Sequence, residues 1–304
     1  MCKNVLVIGN GFDRDLGLPT KYSDFINSVE SDFLHRWKEV SENLATHLLR
    51  CSRFNWFDIE EAMVEYVKRK GNNIDEIIVD IDKCILKELK KNFWEYVSNK
   101  LFDIGSNSWR RHIKSSLAKQ LIELQNKTNY FDNIYSFNCM DGIEYELASN
   151  TELECISGLI NIHGKGHDFI LGIADGDCNN DRYDFLKKSN QEGYSSEDIE
   201  HFKSNLLKAN TNVIFGHSLN RIDMGYFRDM FMNVYLNPNL SKRIIIITKA
   251  ISDAQQIKEN ISNYVHIPFD DLSNSCQLTF LYTDNFNSSY KINDVEDLFK
   301  SCEL

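Results

Sequence analysis

No two cysteines in the chain stand close together. The eight fall at positions 2, 51, 84, 139, 155, 178, 276 and 302, and the nearest two are 16 residues apart. A zinc ribbon converges four thiolates from two close pairs, so these read as scattered reduced thiols and no metal is expected. Excess positive charge is lacking too. Lys and Arg number 34 against 45 Asp and Glu, a formal net charge of −11. That balance excludes a broad phosphate-gripping face, and with it general nucleic-acid binding. No apolar run approaches the ~20 residues of a membrane span, and the N-terminus reads as a strand, not as a charged-then-apolar leader. The expectation is a cytoplasmic protein without membrane contact. From 22 to 130 proline is absent, and glycine occurs only at 71 and 105.

What the chain does have is enough apolar content, 42% over 304 residues, for one large domain or a domain with an insertion. Short β-branched runs bounded by Gly or Asn read as buried parallel strands at 5–8, 134–137, 159–162, 169–173, 213–215 and 244–247, with a weaker one at 264–267. Crossover-length segments separate most of them. The expected fold is therefore α/β: a Rossmann-like, mostly parallel sheet with helices on both faces. The proline-free stretch is different, because apolar residues recur there at helical spacing, as in Ile77, Ile81, Ile85, Leu89, Phe93 and Val97. This predicts a large helical insertion or lid over 22–130, between the parts of a nucleotide-binding domain at 1–21 and 131–304. A looser polar excursion at 177–210 contains a helix at about 196–208.

Ligands of such sheets bind outside the carboxyl ends of the strands, and four clusters follow predicted strands. Gly9, Asn10, Gly11, Phe12 and Asp13 form the first. Its glycines suit a phosphate turn or a tight structural turn. A dehydrogenase fingerprint would want glycine at Arg14 and an acidic residue ending a second strand some 20 residues on, so hydride transfer is disfavoured. In the second cluster, Ser136 to Asp141, Asn138 and Asp141 suit ribose, a carboxamide or a water, or else an Asx turn and helix cap. The third places His163 before Gly164 and Gly166, where an imidazole titrating near neutrality suits a general base. The fourth carries Gly216, His217 and Ser218; it suits a ribose or phosphate and also reads as a capped helix start. A metal-dependent phosphohydrolase using His163, His167, Asp168, Asp175 and Asp177 is a further reading, but a solvated hairpin explains those acids more simply.

The stretches IGNGFDRDLGLPTKYSDF, FNWFDIE, SFNCMD, IHG and GHSLNRIDMGYF, in this order, resemble the AbiH family of bacterial phage-abortive-infection proteins. Their order is also similar to that of sirtuin-type NAD-consuming folds. That likeness implies that Gly9 and Gly11 hold ADP-ribose phosphates, Asn138 positions the nicotinamide ribose and a water, His163 is the base, and Gly216 and Ser218 face the adenosine ribose. Two departures stand out. Asn138-Cys139-Met140-Asp141 replaces an Asn-x-Asp pair, and the four-cysteine zinc ribbon of the deacylases is missing. The implied activity is then NAD hydrolysis to nicotinamide and ADP-ribose in anti-phage defence, the alternative being a non-catalytic NAD or ADP-ribose sensor. A homo-oligomer or a phage-derived trigger are the partners such an effector implies.

Overall fold

The computed structural model describes residues 3–18, 20–40, 42–52, 58–71, 75–104, 116–139, 159–164 and 166–285. Six strands form one sheet: β1 (Asn4–Ile8), β2 (Asn133–Ser136), β3 (Leu159–Asn161), β4 (Thr211–Phe215), β5 (Arg243–Thr248) and β6 (Gln277–Tyr282). Their spatial order is β3-β2-β1-β4-β5-β6, and every pairing is parallel. This is the doubly wound order whose direction of winding reverses between the first and fourth strands. Early in the chain lie helices α1 (Asn10–Asp15), α2 (Tyr22–Ile26), α3 (Asp32–Trp37), α4 (Leu44–Cys51), α5 (Ile59–Lys70) and α6 (Glu76–Ile104). After them come α7 (Leu117–Thr128), α8 (Ser196–Lys208), α9 (Met224–Leu236), α10 (Ile251–Val265) and α11 (Phe269–Ser275). The chain divides into two compact units: Met1–Leu18, Ile104–Ile162 and Glu197–Leu304 form the first, Pro19–Asp103 and His163–Ser196 the second. A large helical insertion does follow β1, and the predicted helix near 196–208 is α8.

In the first unit, β4 and β5 are buried along their whole length. Parallel strands covered on both faces read as continuous apolar runs, which is why 213–215 and 244–247 are visible in the sequence. Two expected strands are corrected. Residues 264–265 close α10, whose buried positions Ala254, Ile257, Ile261 and Val265 follow helical spacing, and His266 ends that helix in the left-handed region at φ 63°. The sheet's sixth strand is instead β6, an edge strand whose burial is only partial.

The other correction falls in the second unit. Residues 169–173 join no sheet; Ile173 makes an isolated bridge with Lys187. Side chains and loops supply the missing ladder. Leu171 N–H donates to Gln191 Oε1 at 3.2 Å while Gln191 Nε2 donates back to the Leu171 carbonyl at 2.7 Å. Gly172 N–H goes to Glu60 Oε1 at 3.1 Å, and Ile170 N–H to the His163 carbonyl at 2.6 Å. The backbone groups of an apolar segment have to be paired, but nothing in its periodicity says by what.

At the centre of the second unit the α6 stripe admits a carboxylate, Asp82, among Ile85, Leu89 and Phe93. Asp82 Oδ2 accepts from the hydroxyls of Tyr66 (2.6 Å) and Tyr183 (2.8 Å), and Oδ1 accepts from Leu44 N–H at 2.8 Å, at the start of α4. One buried group therefore ties α4, α5, α6 and the segment around 183 together. Burial, followed by the charge of Asp82, raises the pKa of both phenols. Above about pH 10 the unfolded chain releases these two protons while the folded chain retains them, so the folded state binds more protons and stability falls as pH rises. With two such groups the slope approaches about 2.7 kcal/mol per pH unit. Tyr66→Phe is expected to lower stability at neutral pH and to shrink the loss between about pH 9 and about pH 11, as read from urea unfolding midpoints. An equally steep loss in Tyr66→Phe and Tyr183→Phe would count against this origin.

Candidate functional site

The carboxyl edge of the sheet, in the first unit, is built from the turns after β1, β2 and β4. The first and last meet backbone to backbone. Gly9 N–H donates to the Phe215 carbonyl at 2.9 Å and Gly11 N–H to the Gly216 carbonyl at 2.8 Å. A Cβ at Gly11 would lie 2.5 Å from Gly216 Cα, and one at Gly216, where φ is +67°, would lie 2.3 Å from Phe12 N. Both glycine amides are thus engaged within the fold, and what the glycines supply here is close approach at the sheet's switch point. Phe12 is buried with its ring edge-on to Phe215 at 5.0 Å. Asp13 is buried on α1, and its carbonyl accepts from Leu18 N–H at 2.9 Å; Asn10 opens that helix.

His217 is buried in the turn after β4. Its Nδ1 accepts from Leu219 N–H at 3.0 Å, which puts the proton of the neutral ring on Nε2, 3.5 Å from Asp223 Oδ2. The ring packs against Phe137 at 4.6 Å and Phe227 at 5.0 Å. Ser218 is exposed, and its carbonyl accepts from Asn260 Nδ2 at 3.1 Å. The expected helix start at Ser218 is displaced to Met224, because Leu219 enters the left-handed region at φ 48° and breaks the run.

Asn138 follows β2, which lies beside β1. Phe137 N–H donates to the Ile8 carbonyl at 2.9 Å, carrying the β1–β2 ladder to the edge of this turn. Asn138 N–H bonds Ser136 Oγ at 3.2 Å, and the residue is 6% exposed. Its side-chain Nδ2 has no hydrogen-bond partner among the described residues. An amide donor left so costs about 1–3 kcal/mol, a cost that an arriving acceptor recovers. Asp141 lies outside the described residues.

His163 opens the second segment of the other unit. There its Nε2 is 3.3 Å from the ammonium of Lys188, which donates to Glu60 Oε2 at 3.0 Å. An ammonium has no lone pair, so Nε2 accepts, and the proton of the neutral ring sits on Nδ1. Glu60 lies in the first turn of α5, behind the Asp58 cap, and its other oxygen takes the Gly172 N–H. Lys188 is only 2% exposed. Neither Glu60 nor Lys188 stood out in the sequence. Glu60 ends the FNWFDIE stretch, a signal that could have found it; Lys188, in a polar run, gave none. Gly164, at φ +61°, has no room for a Cβ beside the Asp168 carbonyl, 2.9 Å away. Of the acids that a metal-dependent phosphohydrolase would use, Asp175 accepts from Ser189 Oγ at 2.7 Å, and no cluster forms around them among the described residues.

The family model for bacteriophage abortive infection AbiH matches residues 5–240, from β1 through α9, taking in all the turns just described. No curated protein matches the chain. No helix among the described residues is long and apolar enough to cross a membrane. With more than three quarters of its length under the family model, the chain belongs to the AbiH family of bacterial anti-phage abortive-infection proteins.

Proposed function

We propose that the chain acts in abortive infection by hydrolysing NAD to nicotinamide and ADP-ribose at the carboxyl edge of its sheet. The observation that carries this reading is the buried Asn138 amide, unpartnered among the described residues, one strand over from the switch point of a β3-β2-β1-β4-β5-β6 sheet. Such sheets take their ligands outside the carboxyl ends of their strands, and an amide donor suits a ribose hydroxyl or the attacking water. Nicotinamide leaves as a neutral base from a cationic precursor. The C1′–N bond breaks with its electron pair going to the ring nitrogen, while a water oxygen bonds to C1′. The water's proton needs an acceptor, the role that the sirtuin likeness gives His163. As the ring stands, Nδ1 bears its proton and Nε2 accepts from Lys188, so taking the water's proton requires Lys188 to release Nε2.

The same observation at His163 favours a second reading, a sensor that binds NAD or ADP-ribose without turnover. The test is NAD consumption by the purified full chain, with products separated by chromatography and ligand binding measured in parallel. Nicotinamide and ADP-ribose should appear with wild type and fall about 100-fold in Asn138→Ala. His163→Ala should lower turnover by about 10²–10⁴-fold. Saturable binding that Asn138→Ala weakens, with no product, establishes the sensor; absence of binding overturns both.

A further inference from the structure

Helices α4 and α5 of the second unit carry a donor set that the nucleotide reading does not use. His47 and Cys51 stand one turn apart on α4, so both project from one face, and Glu65 on α5 reaches the same point. Their ligand atoms all lie within 4.8 Å of one another, with His47 Nε2 at 3.4 Å from Cys51 Sγ. Around a tetrahedral zinc ion, with bonds of about 2.0–2.3 Å, neighbouring donors are about 3.3–3.7 Å apart. The nitrogen–sulfur pair already has that spacing. Glu65 is exposed, and its carboxylate oxygen lies within 4.8 Å of both other donors.

The His47 ring packs against that of Tyr66, with centroids 5.5 Å apart. It is buried and faces Cys51 through Nε2. Burial, followed by the nearby Arg69, lowers the His47 pKa. Burial raises that of the Cys51 thiol, which argues against a free reactive thiolate and means that a binding metal would displace its proton. The other charges facing the cluster are Arg69, Arg50 and Glu65 itself; Arg50 is paired with Glu42 at 2.9 Å. The scaffold is fixed in advance. Asp82 holds the start of α4 through Leu44 and holds α5 through Tyr66, and Asn43 Oδ1 caps α4 through Thr46 N–H at 3.0 Å.

We propose that His47, Cys51 and Glu65 form a binding site for a zinc-class divalent cation, with a water completing the tetrahedron. One nitrogen, one sulfur and one carboxylate oxygen suit zinc rather than magnesium or calcium. The site lies wholly within the second unit and is independent of nucleotide binding. The test uses the full chain, stripped with a chelator and titrated with Co²⁺ and then Zn²⁺. One Co²⁺ per chain is expected, with a thiolate-to-cobalt charge-transfer band and the visible bands of tetrahedral cobalt, all displaced by Zn²⁺. Cys51→Ser should lose the charge-transfer band and weaken binding by at least about 100-fold, while Glu65→Gln, at an exposed position, should keep the band and weaken binding by about 10-fold. Seven other cysteines are present, so a band retained in Cys51→Ser assigns the metal elsewhere and overturns the proposal. So does Glu65→Gln binding as tightly as wild type, or wild type taking up no stoichiometric metal.

Discussion

Gly216→Ala is expected to unfold the sheet unit, or to leave it with little of its stability. Residue 216 has φ +67°, and an added Cβ would lie 2.3 Å from Phe12 N and 2.4 Å from both Gly11 C and Gly11 Cα. The left-handed conformation alone costs alanine about 1–2 kcal/mol. The overlap is worse, because every atom met is backbone and none can swing aside. Relief requires the turns after β1 and β4 to part. That breaks the Gly11 N–H bond to the Gly216 carbonyl and strains the Gly216 N–H bond to the Ile247 carbonyl, both 2.8 Å. A total loss above about 4 kcal/mol is expected, set against about 5–15 kcal/mol for a whole domain. Gly71→Ala is the control. Gly71 has a similar φ, +61°, with ψ −154°, a region open almost only to glycine, but a Cβ there meets nothing within 4 Å among the described residues, so only backbone strain of about 1–3 kcal/mol should appear. Urea unfolding of both variants reads the difference. Equal, small losses would mean that the two turns separate freely and that their contact does not hold the switch point together.

That contact also marks where the sequence was legible. The runs in β1, β4 and β5 are continuous because parallel strands in mid-sheet are covered on both faces, and the short clusters after them mark the ligand edge. The pairing of glycine with glycine across the two turns is a long-range fact, and a GxG written after a strand reads equally as a phosphate turn. Edge strand β6 escaped notice because its partial burial allows Thr279 to interrupt the apolar run. Residues 169–173 misled in the opposite sense, being apolar and buried while taking their hydrogen bonds from Gln191 and Glu60. His47 and Cys51 have a visible i, i+4 spacing, but Glu65 joins them only through the packing of a second helix. Asp82 shows the limit most plainly. A carboxylate in a helical repeat reads as a surface residue, and only the two tyrosine hydroxyls that meet it, one of them 101 residues away, make it a core residue.

The second large effect is expected at Lys188. Replacing it with methionine keeps most of the side chain's bulk but leaves Glu60 in the interior without its ammonium partner. Breaking a buried ion pair from one side costs about 3–5 kcal/mol, because the remaining charge has lost its compensation. The ion pair is 3.0 Å long, and the two side chains are 2% and 12% exposed, so water cannot readily take the partner's place. Glu60→Gln tests the other side. The amide oxygen can still accept the Gly172 N–H, but the ammonium loses its counter-charge. If the pair is the unit that matters, the double variant Glu60→Gln/Lys188→Met should be more stable than the sum of the single losses predicts, with a coupling of about 2 kcal/mol or more. Additive losses would show that the two groups act separately. His163 supplies the readout that packing alone would not move. While Lys188 donates to Nε2, the neutral ring is held with its proton on Nδ1. In Lys188→Met that constraint is gone, and nitrogen NMR shifts should report a mixed or reversed tautomer at His163. A ring that keeps the Nδ1–H form without the ammonium would show that its orientation is set elsewhere, and that Lys188 and Glu60 serve the fold of the second unit without bearing on the imidazole.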